Sequence, residues 1–150
     1  MSSTSLICAF RLPGSLLALD ATLVGEVVSV DGLTRLAGCA PAVRGLANLR
    51  GRALAVVDLD LLLGGSGATA DADTLLVLRL PGRECGLLVE RVDGVLAGGE
   101  RRAADRLVEP GWIAGFQDLP SGGTAALLDP RDLAARLDTL RFRPLSQAAA

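Results

Sequence analysis

The sequence predicts an all-β chain with minor α content, and three observations carry that reading. Short apolar stretches of about four to seven residues follow one another between Gly, Pro and Asp, a spacing that suits small barrels or sandwiches. Pro13-Gly14 and Pro81-Gly82 are turn dipeptides that close hairpins between such stretches. The third observation is repetition: Arg11-Leu12-Pro13-Gly14 returns as Arg79-Leu80-Pro81-Gly82, 68 residues on (11 to 79).

In chain order, strands are expected at Leu6–Leu12, Leu16–Leu19, Val24–Val30, Ala53–Leu59, Leu75–Leu80, Gly86–Val89, Val92–Leu96, Ile113–Phe116 and Thr124–Leu128. A short helix begins near Asp58, runs through Leu61-Leu62-Leu63 and stops at Gly64-Gly65. Gly64 to Asp73, rich in Gly, Ala, Ser and Thr, reads as a mobile surface loop. In a later helix Asp129 is the N-cap, Pro130 takes the first position, and Leu133, Leu137 and Leu140 follow at helical spacing. The tail after Arg143 reads as frayed. The repeat extends through these elements: Leu19 aligns with Leu87, Val24 with Val92, Val27 with Val95, and Ala55-Val56-Val57-Asp58 with Ala126-Leu127-Leu128-Asp129. Each half is then a hairpin, a Val-containing segment, a loop, a strand ending in Asp and a short helix. Two small barrels packed face to face are expected, with a groove between them for a partner.

Composition narrows the chemistry. At 150 residues the chain is one domain or two small fused halves, and folding at that length buries roughly 70% of the unfolded surface. Half the residues are hydrophobic, yet only three Phe and one Trp are aromatic, so Leu, Val and Ala must fill the core. There is no His or Tyr, and all fifteen basic residues are Arg. A Ser–His or Cys–His nucleophile, a Schiff-base lysine, a P-loop lysine and a His-ligated metal are therefore excluded. The net charge of −2 offers no basic field for nucleic acid. Cys8, Cys39 and Cys85 are widely spaced and odd in number; Cys8 and Cys85 lie in apolar runs and read as reduced core thiols. Met1 to Thr4 carries no positive charge of the secretory kind, and no apolar run approaches the roughly 20 residues that span a bilayer. A cytoplasmic protein is expected. Asp58/Asp60 and Asp71/Asp73 could each chelate a hard cation, but they read better as a helix cap and loop residues. No metal and no cofactor is expected.

One segment stands out. From Val43 to Leu59, three arginines, an Asn and two glycines immediately precede a buried strand. On composition it is either a solvated turn or a guanidinium held at the groove for a partner's carboxylate. Gly45-Leu46-Ala47-Asn48-Leu49-Arg50-Gly51, followed by Val56-Val57-Asp58-Leu59, resembles the "G-x-x-NLRG-x-x-x-P-[VI]-[VI]-DL" signature of CheW-type chemotaxis coupling proteins. Looser matches follow in order: Phe10-Arg11-Leu12 and Val24-Gly25-Glu26-Val27-Val28, Leu33-Thr34-Arg35-Leu36, Gly86 through Leu96, Ile113-Ala114-Gly115-Phe116 and Ala126-Leu127-Leu128-Asp129. Ala55 departs from the usual Pro, Pro41 falls one position late, and Glu90 replaces the usual Asp.

The resemblance implies a non-enzymatic adaptor of two SH3-like five-stranded β-barrels around a shared core, spanning residues 5–143, with 144–150 a flexible tail. It implies coupling of chemoreceptor cytoplasmic tips to the regulatory domain of a CheA-type histidine kinase, in arrays at the membrane. A divergent scaffold of a pilus-motility or other chemosensory-like pathway is the alternative. Residues expected at the receptor are Val24, Glu26, Val27, Gly45, Asn48 and Arg50, with Val24, Glu26 and Val27 along one groove because alternate strand residues share a face. Residues expected at the kinase are Gly86, Leu88, Gly94 and Val95, on the premise that Gly86 to Leu96 forms outer strands of one barrel. Two other readings are weaker. A carboxylate–metal enzyme lacks converging acids, and a free-standing peptide-binding module lacks aromatic groove walls.

Overall fold

The computed structural model describes residues 5–68 and 71–140. The expectations for Met1–Thr4 and for the tail after Arg143 lie outside those residues, as does the middle of the Gly64–Asp73 loop. β1 (Leu6–Leu12) and β2 (Ser15–Asp20) form a hairpin across Pro13-Gly14, and β6 (Thr74–Leu80) and β7 (Arg83–Val89) form another across Pro81-Gly82. Gly14 and Gly82 take φ of 74° and 70°, the left-handed conformation that the second turn position demands. After the first hairpin come β3 (Val24–Ser29), β4 (Val43–Leu49), β5 (Arg52–Asp58) and α1 (Leu59–Leu62). After the second come β8 (Arg91–Ala97), β9 (Arg101–Ala103), β10 (Ile113–Asp118), β11 (Thr124–Leu128) and α2 (Pro130–Thr139). Both helices start as expected: Asp58 accepts from the Leu61 amide and Asp129 from the Arg131 amide, with Pro130 opening α2.

The strands make two sheets, β8-β1-β2-β11-β10-β9 and β3-β6-β7-β5-β4. The halves therefore exchange hairpins. The first-half hairpin β1–β2 lies among second-half strands, and β6–β7 lies among first-half strands. Expecting each half to close its own barrel was wrong, because the repeat shows which strands are equivalent but not which ones pair. Each exchanged hairpin has two seams, one antiparallel (β1–β8, β3–β6) and one parallel (β2–β11, β5–β7), and the two sets are repeat equivalents. The premise behind Gly86 to Leu96 fails for the same reason. Those residues pass from β7 in one sheet to β8 in the other, with Glu90 alone between the strands.

Burial explains the exchange. Cys8, Phe10, Leu12, Leu17 and Leu19 of the first hairpin join Leu76, Leu78, Cys85, Leu87 and Val89 of the second in one central core, which Leu59, Leu62, Leu133 and Leu137 complete. The opposite faces of the same strands enter smaller outer cores: Ile7, Ala9 and Ala18 on one side, Leu75, Val77 and Leu88 on the other. Strands covered on both faces are continuously apolar, as Leu-Ile-Cys-Ala-Phe and Leu-Leu-Val-Leu are. The space between the sheets, expected as a groove, is packed core.

Irregularities repeat as faithfully as strands. The β3–β6 ladder shifts between Val24 and Glu26 opposite Leu78 and Val77, and the β8–β1 ladder shifts between Val92 and Gly94 opposite Phe10 and Ala9. β4 and β10 carry matching shifts at Val43/Gly45 and Ile113/Gly115. A Cβ on Gly45 would lie 2.3 Å from the Thr34 carbonyl oxygen, and one on Gly115 would lie 2.4 Å from that of Arg102. Each glycine admits a crossing backbone that a side chain would block. Two strands escaped the sequence reading. β4 begins Val-Arg-Gly, the composition of a turn, and β9 is three exposed residues, Arg-Arg-Ala. β9 also makes its sheet six-stranded.

Two outcomes are expected. Fragments 1–68 and 71–150 made separately should give unfolded circular-dichroism spectra and regain β structure only when mixed, because each lacks a hairpin from the other's sheet. Burial raises the Cys8 thiol and pushes Cys85 up to about 11. An Ellman titration of the native protein should therefore find one accessible thiol, half-buried Cys39, and the other two only after unfolding.

Candidate partner-binding site

The Leu49-to-Arg52 reversal between β4 and β5 has two central residues, Arg50 and Gly51, with φ of 51° and 86°. Both signs are positive, the type I′ arrangement that suits strand twist and that Asn-Gly fills without strain. Arg50 is the one non-glycine with positive φ among the described residues. An L residue there costs roughly 1–2 kcal/mol, partly offset where the Asn48 side-chain oxygen accepts from the Gly51 amide at 2.9 Å. Turn chemistry alone would not select arginine.

What Arg50 does is electrostatic. Its Nη1 and Nη2 donate to Oε1 and Oε2 of Glu26 at 3.0 and 2.6 Å, a two-point fork from the β4–β5 turn to β3. The Glu26 side chain is 19% exposed and that of Arg50 72%. The Arg50 hydrogen bond, then the charges of Arg50, Arg79 and Arg52, hold the Glu26 carboxyl below its ordinary value, and Glu26 in turn raises Arg50. Beside the fork, Glu84 takes Arg52 at 2.7 Å and Arg79 at 2.8 Å. Three arginines and two glutamates thus form one patch on this sheet, with a net charge of +1.

All six residues expected at the receptor lie on β3, β4 or the turn after β4, the two outer strands of one sheet. They do not share one face. The bulge at Gly25 places Val24 opposite Leu78 and Val27 opposite Leu76, both central-core residues, whereas Glu26 sits opposite Val77 of an outer core. A two-for-one bulge breaks strict alternation, so Glu26 turns toward Arg50 and away from the side that Val24 and Val27 occupy. Val24 is half-buried against the central core, Val27 is 45% exposed at its margin, and Gly45 is buried.

The kinase set divides between sheets. Gly86 and Leu88 are buried in β7, where Gly86 packs against Leu75 and Leu54. Gly94 and Val95 lie on the outer strand β8. Gly94 has φ of 131° with no heavy atom near where a Cβ would stand, and Val95 is 56% exposed. Val27 and Val95 are repeat equivalents, so corresponding outer strands each present a valine.

A pair joining a buried carboxylate to a partly exposed arginine escaped the sequence reading as such. Asp58 has no exposed surface, and its carboxylate accepts from Arg44 Nε and Nη2 at 3.1 and 2.6 Å and from the Leu61 and Ala68 amides. Asp60 accepts from the Gly67 amide. Together they tie the loop after α1 to the end of β5, and among the described residues no three acidic or thiol groups converge as a metal site would need.

The family model described as "CheW-like domain" matches residues 7–138. No curated protein matches the chain significantly in sequence. Among solved structures, the scaffolding protein TtCheW from Thermoanaerobacter tengcongensis superposes with a TM-score of 0.73 at 22% identity, over 85% of this chain and 90% of that one. That likeness establishes the fold as two SH3-like subdomains around a shared core.

The fork makes a titration testable. A carboxylate with a depressed folded pKa adds stability that is present above its unfolded value and lost as pH falls through the folded one. By NMR, Glu26 should titrate below 4.5, the ordinary value for Glu. Arg50→Ala should return it toward that value, and acidification below it should release the fork.

Proposed function

The chain belongs to the CheW-like domain family, and from that membership we propose that it couples chemoreceptor cytoplasmic tips to the regulatory domain of a CheA-type histidine kinase. CheW-family proteins are non-enzymatic scaffolding adaptors, so the function is one of surfaces. The observation that carries the reading is Arg50. The family's NLRG block puts a strained, solvent-facing guanidinium at a hairpin tip and braces it against Glu26. An exposed ion pair contributes little to stability, so its value lies in presenting charge to a partner.

The receptor surface in this proposal is the outer margin of the β3/β4 sheet. Arg50, Glu26 and Asn48 supply polar contacts, Val27 an apolar one, and Val24 and Gly45 hold the strands beneath. The kinase surface is the β8 margin, with Gly94 and Val95; Gly86 and Leu88 lie inside and take no part. The unit of function is residues 5–143, acting in the cytoplasm at membrane-bound arrays. Among the described residues no helix is long and apolar enough to cross a membrane.

Receptor cytoplasmic fragments and a CheA-type kinase from the same organism should each retain the chain in a pull-down; retention by neither overturns the proposal. Arg50→Ala should weaken receptor binding roughly 10- to 100-fold, the range of a charge-assisted hydrogen bond. Arg50→Lys should also bind poorly, since an ammonium cannot reproduce the fork. Val95→Arg should weaken kinase binding and spare receptor binding. Loss of both partners from either single substitution in a folded protein would refute two separate surfaces.

A further inference from the structure

We propose that the cleft beneath the segment joining β3 to β4 is a second recognition site, one that takes an acidic side chain of a partner peptide together with an apolar neighbour. The cleft measures about 490 Å³, within the usual range for ligand sites. Its lining comprises Leu33, Leu36, Pro41, Val43, Ala72 and Leu88, with Arg35 and Arg44 as the charged residues. Among the described residues no carboxylate lines it.

The two arginines are prepared differently. Arg44 is immobilised from behind, because its Nε and Nη2 both engage one oxygen of buried Asp58, which leaves Nη1 unpaired among the described residues. Arg35 is exposed and makes no hydrogen bond or ion pair within the described residues. One donor is thus held in place and one is free to close on a ligand, an arrangement that lowers the ordering cost of binding. The charges select the ligand. Two guanidinium groups less the Asp58 carboxylate leave one positive charge, which matches a monoanionic carboxylate better than a doubly charged phosphate. The apolar wall suits the residue beside that carboxylate in a peptide. Arg44 lies near the start of β4 and Arg50 in the turn after its end, six positions on and about 20 Å at the usual strand rise, so the cleft is separate from the Glu26–Arg50 fork.

That the ligand is a peptide rests on the adaptor reading, and the test is therefore made without receptor or kinase. The blocked tripeptide Ac-Leu-Glu-Leu-NH2 is titrated into the full chain labelled with nitrogen-15. Saturable amide shifts are expected at Leu36, Val43 and Leu88, in the millimolar range suited to so small a probe. Replacing Glu by Gln in the peptide should abolish them. Arg35→Gln should weaken binding about five-fold or more, Arg35→Lys by less, and Arg50→Ala not at all. Arg35 is exposed, so these variants keep the fold, which the spectrum itself verifies. Absence of saturable shifts, equal binding of the Gln peptide, or indifference to Arg35→Gln overturns the proposal. Stronger shifts of the same amides by inorganic phosphate also overturn it, by making the cleft a general anion site. None of these failures touches the Arg50 surface, which receptor binding tests separately.

Discussion

Four strands that must be buried on both faces dictate this molecule. β1, β2, β6 and β7 carry apolar side chains on each side, and no single sheet with one helix can cover both. The solution is a series of thin cores, a shared one between the sheets, one outside the β1–β2 hairpin and two small ones outside β6–β7. Each hairpin reaches that middle position by leaving its own half of the chain. The thinness also accounts for composition. Layers of Leu, Val, Ala and Cys fill the space, and Phe10 is the one aromatic side chain fully buried among the described residues. The repeat equivalents Cys8 and Leu76, Phe10 and Leu78, and Leu17 and Cys85 all enter the central core, and in each pair a larger residue in one half is balanced by a smaller one at the equivalent place in the other. Such compensation maintains close packing in an interior built from two copies of one plan.

Much of this was legible in the sequence. Strand positions followed from apolar runs, both helix starts from an Asp cap, and the repeat from a four-residue identity. What stayed hidden has a common physical cause: it depends on partners distant in the chain. The hairpin exchange leaves no local trace, since a strand buried on two faces reads the same whichever sheet it joins. β4 resembles a turn because an outer strand tolerates Arg44 and needs Gly45 for the Thr34 crossing. Val24, Glu26 and Val27 seemed to follow simple alternation, but one extra residue at Gly25 reversed the sense beyond it. Arg50 was singled out from the motif, while its pairing with Glu26, 24 positions away, left no sign in the sequence. Gly86 and Leu88 were chosen from a stretch of sequence that the structure divides between sheets.

Two arginine–carboxylate pairs show how environment separates structural from surface electrostatics. Asp58 is wholly buried while Arg44 is partly exposed, and removing the arginine would strand a buried carboxylate. Its four donors come from a strand, a helix start and a loop, so it joins three elements at one point. The Arg50–Glu26 pair sits in solvent, where screening leaves little net stabilisation. The first therefore belongs to folding. The second, accompanied by backbone strain at Arg50, has its rationale at the surface.

The short crossings between sheets have a mechanical consequence. Only the single turn Ala21–Leu23 separates β2 from β3, and Glu90 alone separates β7 from β8, yet both junctions pass from one sheet to the other. Tandem units joined by a linker ordinarily swing about it. Here a swing would have to pull hydrogen-bonded strands out of the opposite sheet at two places at once. The molecule is a strut without a pivot, and the angle between its β3 and β8 margins is fixed when the chain folds. Bodies held at those margins would feel each other's displacement directly, as a rotation of the whole strut, with no internal rearrangement to absorb or delay it.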